Sequence, residues 1–189
     1  MPRSQDGDLP SAPRPPMRPP HPGDGWVACS CGRRHWGLHG AAGLLLARRN
    51  AAGAVEAVVL QHRALWSDQG GTWGIPGGAR GPAETVLQAA LREAAEEAGI
   101  DAAAVRVLGE HVLDHGAWSY TTVLAEVAGA VTPRPTDAES LETAWIGRDG
   151  VASLPLLPAF AAAWPGLLER LDTTGHDTGR LQELSDPAR

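Results

Sequence analysis

The chain of 189 residues contains no lysine; all 16 of its basic residues are arginines. A Schiff-base lysine and the lysine-bearing phosphate loop of P-loop enzymes are therefore excluded. Cysteine is almost as scarce: there are two, Cys29 and Cys31, with a single residue between them. That spacing is too short for an ordinary structural disulfide, so no secreted, disulfide-stapled framework is available and stability has to come from packing. Long apolar runs are also missing. The longest, residues 41–47, is interrupted by Gly43 and falls far short of the roughly 20 residues that a bilayer span requires. Residues 1–24 are polar and rich in proline rather than signal-like. With a formal net charge of −6 and a pI near 5.6, the chain lacks the basic footprint of a nucleic-acid binder. These absences lead us to expect a cytoplasmic protein with no membrane and no nucleic-acid partner.

A hydrophobic fraction of 43% at this length supports one compact domain. Eight of the 16 prolines fall in residues 1–24, where almost no large apolar residue could anchor them, so this segment is expected to be a disordered tail. Residues 25–40 read as a capping segment and residues 41–171 as the folded domain. Residues 172–189 are polar, lack helical apolar spacing and are expected to form a second disordered tail. Residues 41–48 and 54–62 are apolar runs around an Asn50 to Gly53 turn, which predicts a β-hairpin. Residues 105–113 and 118–127 predict a second strand pair, and residues 143–146 a further short strand. One helix is predicted over residues 82–98, with Pro82 at its first position and Gly99 at its stop. Another apolar segment, residues 154–171, reads as helical, broken or kinked at Pro165 and Gly166. Strands interleaved with helices indicate an α/β layered domain.

The helix over residues 82–98 carries an apolar stripe of Val86, Leu87, Ala90, Leu91 and Ala94 that must bury against a sheet. Its last two turns do not read as structural. Glu93, Glu96 and Glu97 crowd the end of the helix that bears partial negative charge, where stability alone would place arginine. Residues three and four apart sit within about 5–6 Å of one another, and Arg92, paired at i+4 with Glu96, is the one cation nearby. Such a cluster either holds a hard divalent cation such as Mg²⁺ or Mn²⁺ or forms a solvated acidic face.

Gly78, five residues, Glu84, seven residues and then Arg92-Glu93-Ala94-Ala95-Glu96-Glu97-Ala98-Gly99-Ile100 together resemble the full signature of the Nudix hydrolases (MutT-like). Ala94 stands where that family usually has a larger aliphatic residue. The approach Trp73-Gly74-Ile75-Pro76-Gly77-Gly78 is similar as well. The resemblance covers roughly residues 41–171 and implies an α/β/α sandwich with a mixed sheet and one catalytic helix. It further implies metal-dependent attack of water on the pyrophosphate of a nucleoside diphosphate linked to another moiety, a small-molecule nucleotide substrate. Mg²⁺ or Mn²⁺ would be held by Glu93, Glu96 and Glu97 with the Gly77 carbonyl, and Glu84 would lie nearby. Arg92 would orient Glu93 by ion pairing. In the family the general base comes either from the signature helix or from a later loop; here Glu139 is the loop candidate, with Glu142 its competitor. Arg63 resembles a phosphate-contacting arginine of relatives that cleave nucleoside triphosphates, or else is a surface arginine.

A nucleobase is commonly held by aromatic stacking, and Trp66, Trp73, Trp118 and Tyr120 are the candidates, with Trp66 and Trp118 preferred. Bacterial enzymes that remove 8-oxo-dGTP can read the purine with an asparagine late in the chain, whereas the single asparagine here is Asn50. A modified nucleoside triphosphate is therefore one substrate among several that include ADP-ribose and nucleotide sugars. A Nudix-fold nucleotide sensor or scaffold without turnover is the alternative function. Finally, Cys29, Cys31, His35 and His39 offer two thiols and two imidazoles, chemically a zinc set. Paired zinc cysteines usually have two to four residues between them, so this stretch is expected to be a cap with reduced thiols.

Overall fold

A computed structural model describes residues 21–183. Its strands are β1 (Trp26–Ala28), β2 (Arg34–Trp36), β3 (Ala41–Arg49), β4 (Val55–Arg63), β5 (Trp73–Gly74), β6 (Gly77–Ala79), β7 (Val105–Asp114), β8 (Ser119–Val127) and β9 (Ser140–Gly147). The helices are α1 (Val86–Ala98) and α2 (Pro158–Glu183). Strands β1 and β2 form a separate two-stranded sheet. The remaining seven make one sheet with the order β5-β4-β3-β8-β7, in which β6 is added to β3 and β9 to β4. The β3–β8 pairing is parallel and the others are antiparallel, so the sheet is mixed.

Successive residues of β3 point to opposite faces of the sheet. Ala42, Leu44 and Leu46 join Val59, Val123 and the α1 alanines Ala89, Ala90, Ala94 and Ala98 in one core. Leu45 and Ala47 join Leu60, Leu124 and the α2 residues Phe160, Trp164, Leu167 and Leu171 in the other. The result is the expected α/β/α sandwich. The side chains that α1 turns to the sheet are mostly alanines, so the helix lies close to it. Ala94, small where the family has a larger residue, is fully buried there.

Several boundaries differ from expectation. The helix expected from Pro82 begins at Val86. Thr85 is its N-cap and forms a capping box with Gln88, which competes successfully with Pro82 as a start signal. Helix α2 runs on through Pro165 to Glu183, so neither a break at Pro165 nor a tail from residue 172 is found. The proline lacks one backbone donor, but Phe160, Trp164, Leu167 and Leu171 bury the face around it and hold the helix across that gap. Asp172 pairs with Arg148 at 3.0 Å, which ties the extended helix to the domain. At the other end, His21 to Asp24 is ordered: the Asp24 N–H donates to the His21 carbonyl and the His21 N–H to Asp24 Oδ2. The rest of the expected N-terminal tail, residues 1–20, and residues 184–189 lie outside the described residues. Among the described residues no helix is long and apolar enough to cross a membrane.

The close α1–sheet contact predicts that Ala90→Leu, overpacking a fully buried site, lowers the unfolding free energy by about 1–3 kcal/mol. Urea unfolding checks this value; an unchanged midpoint contradicts the packing described.

Candidate active site

Helix α1 carries Glu93 and Glu97 one turn apart at the margin of its alanine face. Packing of that face draws both carboxylates under β6, leaving Glu93 7% and Glu97 3% exposed. The strand above them has no side chain at Gly77 or Gly78 to collide with. A Cβ on Gly78 would come within 2.6 Å of Glu93 Oε1, and one on Gly77 within 2.6 Å of the Tyr120 hydroxyl. The two glycines are thus required by the approach of the carboxylates and of Tyr120 from β8.

Arg92 organises the acidic group. Its Nε donates to Glu84 Oε1 at 2.7 Å, Nη1 to Glu93 Oε1 at 2.6 Å and to Glu96 Oε2 at 3.0 Å, and Nη2 to the Ala79 carbonyl at 2.9 Å and to Glu84 Oε2 at 3.0 Å. Every N–H of the guanidinium is used. Glu84 lies in the loop before α1 rather than in its first turn, and its Oε2 also accepts the Gly81 N–H at 2.8 Å. The Arg92 guanidinium, with that amide, holds its carboxyl down at about 2. Glu97 has no such cation. Burial, and then the charge of Glu93, push it up to about 8 against the opposing effect of the Gly77 N–H, which donates to Glu97 Oε2 at 2.8 Å. Gly77 thus meets the acidic group through its amide.

The structure brings two further groups to Glu97. Arg63, at the end of β4, lies close enough for its charge to stabilise the ionised Glu97; its Nε donates to the Asp68 carbonyl at 3.1 Å. Asp137 was not foreseen. Its Oδ1 accepts from the Ser140 hydroxyl at 3.0 Å and from the Glu139 N–H at 3.1 Å, while that same hydroxyl reaches the Glu97 carbonyl at 3.2 Å. Asp137 Oδ2 is buried with no hydrogen-bond partner among the described residues. The sequence signal was an Asp two residues before Glu139 and three before Ser140, an Asx-type turn that fixes the start of β9. Glu139 is the last residue before that strand, and its carbonyl accepts the Ala64 N–H beside Arg63 at 2.8 Å. Glu142, its competitor, is exposed on β9 opposite His62.

The aromatic candidates separate. Trp73 stacks on His62 with ring centroids 4.9 Å apart and belongs to the core. Trp66 is 54% exposed on the β4–β5 loop. Tyr120 stands over Gly77, and burial followed by the charge of Glu97 pushes its hydroxyl pKa upward, keeping it protonated. Trp118 donates from Nε1 to the Trp36 carbonyl at 3.0 Å and lines an open groove of about 450 Å³ with His39, Gly40 and Arg80. None of the glutamates of α1 lines this groove. It adjoins them through Arg80, next in the chain to the Ala79 whose carbonyl holds Arg92.

Whether these residues suit a divalent cation follows from charge. Glu84, Glu93, Glu96, Glu97 and Asp137 confront Arg92 and Arg63, so negative charge is in excess in a partly buried place. Burial and the neighbouring Glu93 charge raise the Glu97 carboxyl to about 8, and a divalent cation placed there would favour its ionised form. The donors are all oxygens, which suits Mg²⁺ or Mn²⁺.

The NUDIX domain family model matches residues 37–165. The chain belongs to the Nudix hydrolase family. Its members generally work with a divalent metal. The chain is 51% identical over 162 residues to a Bifidobacterium longum nucleoside triphosphate pyrophosphatase/Nudix hydrolase fusion protein, an alignment covering 84% of this chain and 34% of that one. It is 49% identical over 151 residues to a Mycobacterium tuberculosis protein provisionally named 8-oxo-dGTP diphosphatase 3, covering 77% of this chain and 69% of that one. The crystal structure of a Nudix hydrolase from M. smegmatis, RenU, superposes with a TM-score of 0.72 at 49% identity, covering 80% of this chain and 96% of that one. The present chain thus spans about one third of the fusion protein.

The raised Glu97 gives this Nudix domain a pH signature in EDTA. Its folded carboxyl titrates at about 8, against 4.5 ordinarily, so the folded state holds a proton that the unfolded chain has already lost between those values. That contribution to stability is full below about 4.5 and is lost as pH rises through about 8. The melting temperature of the wild type minus that of Glu97→Gln is expected to fall across that window; a flat difference contradicts the assignment.

Proposed function

We propose that this Nudix chain hydrolyses the phosphoanhydride bond of a nucleoside diphosphate linked to another moiety, with a modified nucleoside triphosphate as the substrate class. The reading rests above all on the buried Glu93–Glu97 pair set beneath Gly77 and Gly78. The name of the M. tuberculosis relative, an 8-oxo-dGTP diphosphatase, supports the substrate class.

Glu93, Glu96 and Glu97 would hold Mg²⁺ or Mn²⁺, with Asp137 adding charge from the β9 side. When bound, the cation neutralises phosphate oxygens and lowers the pKa of the attacking water. Arg92 fixes the rotamers of Glu93 and Glu96 by donating to one oxygen of each. Its bond to the Ala79 carbonyl keeps the glycine strand in register with the helix. Arg63 meets the charge of the phosphates at the open end of β4, where a guanidinium can bind them through paired N–H groups. Glu139 sits between Arg63 and Asp137 and serves as general base, accepting the proton of the water as its oxygen bonds to phosphorus. The P–O–P bridge breaks, and a nucleoside monophosphate leaves with pyrophosphate or another phosphate product. Trp118, on the groove beside Arg80, and Trp66, exposed on its loop, are the surfaces against which a base would stack.

The test is release of nucleoside monophosphate from 8-oxo-dGTP and unmodified triphosphates with Mg²⁺, followed chromatographically. Glu97→Gln is expected to lower kcat/KM by at least about 100-fold, more than the loss of a residue that only supports a metal ligand. Retained turnover removes this mechanism, and tight nucleotide binding by a wild type that never turns over shows a sensor instead. Arg92→Gln, which leaves Glu84, Glu93 and Glu96 without their shared cation, is expected to cost about 10- to 100-fold in kcat/KM; wild-type kinetics would show that the guanidinium does not position the acids.

A further inference from the structure

The two cysteines and two histidines do not assemble as their order in the chain suggests. His39 lines the groove, and its carbonyl accepts from Arg80 Nε. His115, in the β7–β8 turn, takes its place: one ligating atom from each of Cys29, Cys31, His35 and His115 lies within 4.8 Å of every other. Among the described residues this is the one group of metal-ligating atoms so close together.

From these positions we infer that Cys29, Cys31, His35 and His115 bind a structural zinc ion, separate from the glutamate centre. A tetrahedral ion with Zn–S near 2.3 Å and Zn–N near 2.0–2.1 Å places its ligands about 3.3–3.8 Å apart. Cys31 Sγ and His35 Nε2 are already 3.2 Å apart, and the remaining separations need to close by about 1.5 Å at most. The turn is shaped for this. Gly32 takes a left-handed φ of 81° just after the second cysteine, and its N–H donates to the Cys29 carbonyl at 3.0 Å. The Cys31 amide points at Cys29 Sγ from 3.4 Å, a donor suited to a thiolate. Both cysteines are free thiols, one exposed and one half-buried, so core packing does not account for them. Two sulfurs and two imidazoles favour zinc over Mg²⁺ or Mn²⁺, and four protein ligands leave no open position for chemistry.

The surrounding fold lacks what such an ion supplies. Strands β1 and β2 are three residues each, and an isolated two-stranded hairpin is marginal in water. Trp26 and Trp36 are 43% and 39% exposed and pack on one another rather than in a core. Zinc would fasten this hairpin to a turn 86 residues further along the chain. It would also hold His35 against Trp118, on which it stacks at 4.3 Å, and so fix one wall of the groove. The Cys-x-Cys spacing is compensated by taking the fourth ligand from across the fold.

The full-length chain, purified without added zinc and dialysed extensively against Mg²⁺ buffer, is assayed by elemental analysis. About one zinc per chain is expected, and zinc-stripped protein given Co²⁺ should show the absorption of tetrahedral thiolate-ligated cobalt. His115→Ala should retain less than about a tenth of the zinc with its circular dichroism unchanged, whereas His39→Ala should retain all of it. Zinc-free wild type without the cobalt spectrum, full zinc in His115→Ala, or a Cys29–Cys31 disulfide found by mass spectrometry each overturns the assignment. None of these readouts depends on hydrolytic activity.

Discussion

One guanidinium holds the acidic cluster of this domain together. Arg92 binds Glu84 from the loop, Glu93 and Glu96 from its own helix and the Ala79 carbonyl from the glycine strand. In doing so it joins three segments that repulsion between carboxylates would otherwise separate. Glu97 is buried beside Glu93, and the Gly77 amide and the more distant charge of Arg63 only partly offset the resulting rise in its pKa. The contrast between Glu84 at about 2 and Glu97 at about 8, two carboxyls of one cluster, follows from Arg92 serving the first and burial governing the second.

This contrast depends on packing two layers away. The alanines of α1 let the helix settle close on β3, and the absence of side chains at Gly77 and Gly78 lets the sheet accept Glu93 and Glu97 beneath it. Larger residues on either surface would lift the acids toward water, where a carboxylate needs no partner. Burial that is unfavourable in the metal-free chain is thus built in by the same small residues that make the sandwich compact, as expected where local cost serves a site.

Much of this could be read from the residues alone. The spacing of Gly78, Glu84, Arg92, Glu93, Glu96 and Glu97 placed the acids on one helix face, and the apolar runs of β3, β4, β7 and β8 were visible as strands. What the pattern could not convey were contacts between distant segments. Asp137 reaches Glu97 only because β9 is added to β4, and His115 meets Cys29 only because the β7–β8 turn lies beside the small hairpin. Helix α2 extends past the expected end, where polar residues beyond Leu171 conceal the Arg148–Asp172 pair that anchors its middle. The start of α1 was displaced because Pro82 and Thr85 both signal a helix beginning, and the reciprocal Thr85–Gln88 bonds decide between them.

The central claim is that the buried Glu93–Glu97 pair is completed by a hard divalent cation. Titration of the nucleotide-free, zinc-replete protein with Mn²⁺, followed by electron paramagnetic resonance of the unbound ion, tests it most directly. The account predicts saturable binding that weakens at least about 10-fold in Glu93→Gln and in Glu97→Gln. Equal Mn²⁺ affinity in the wild type and both variants would contradict it.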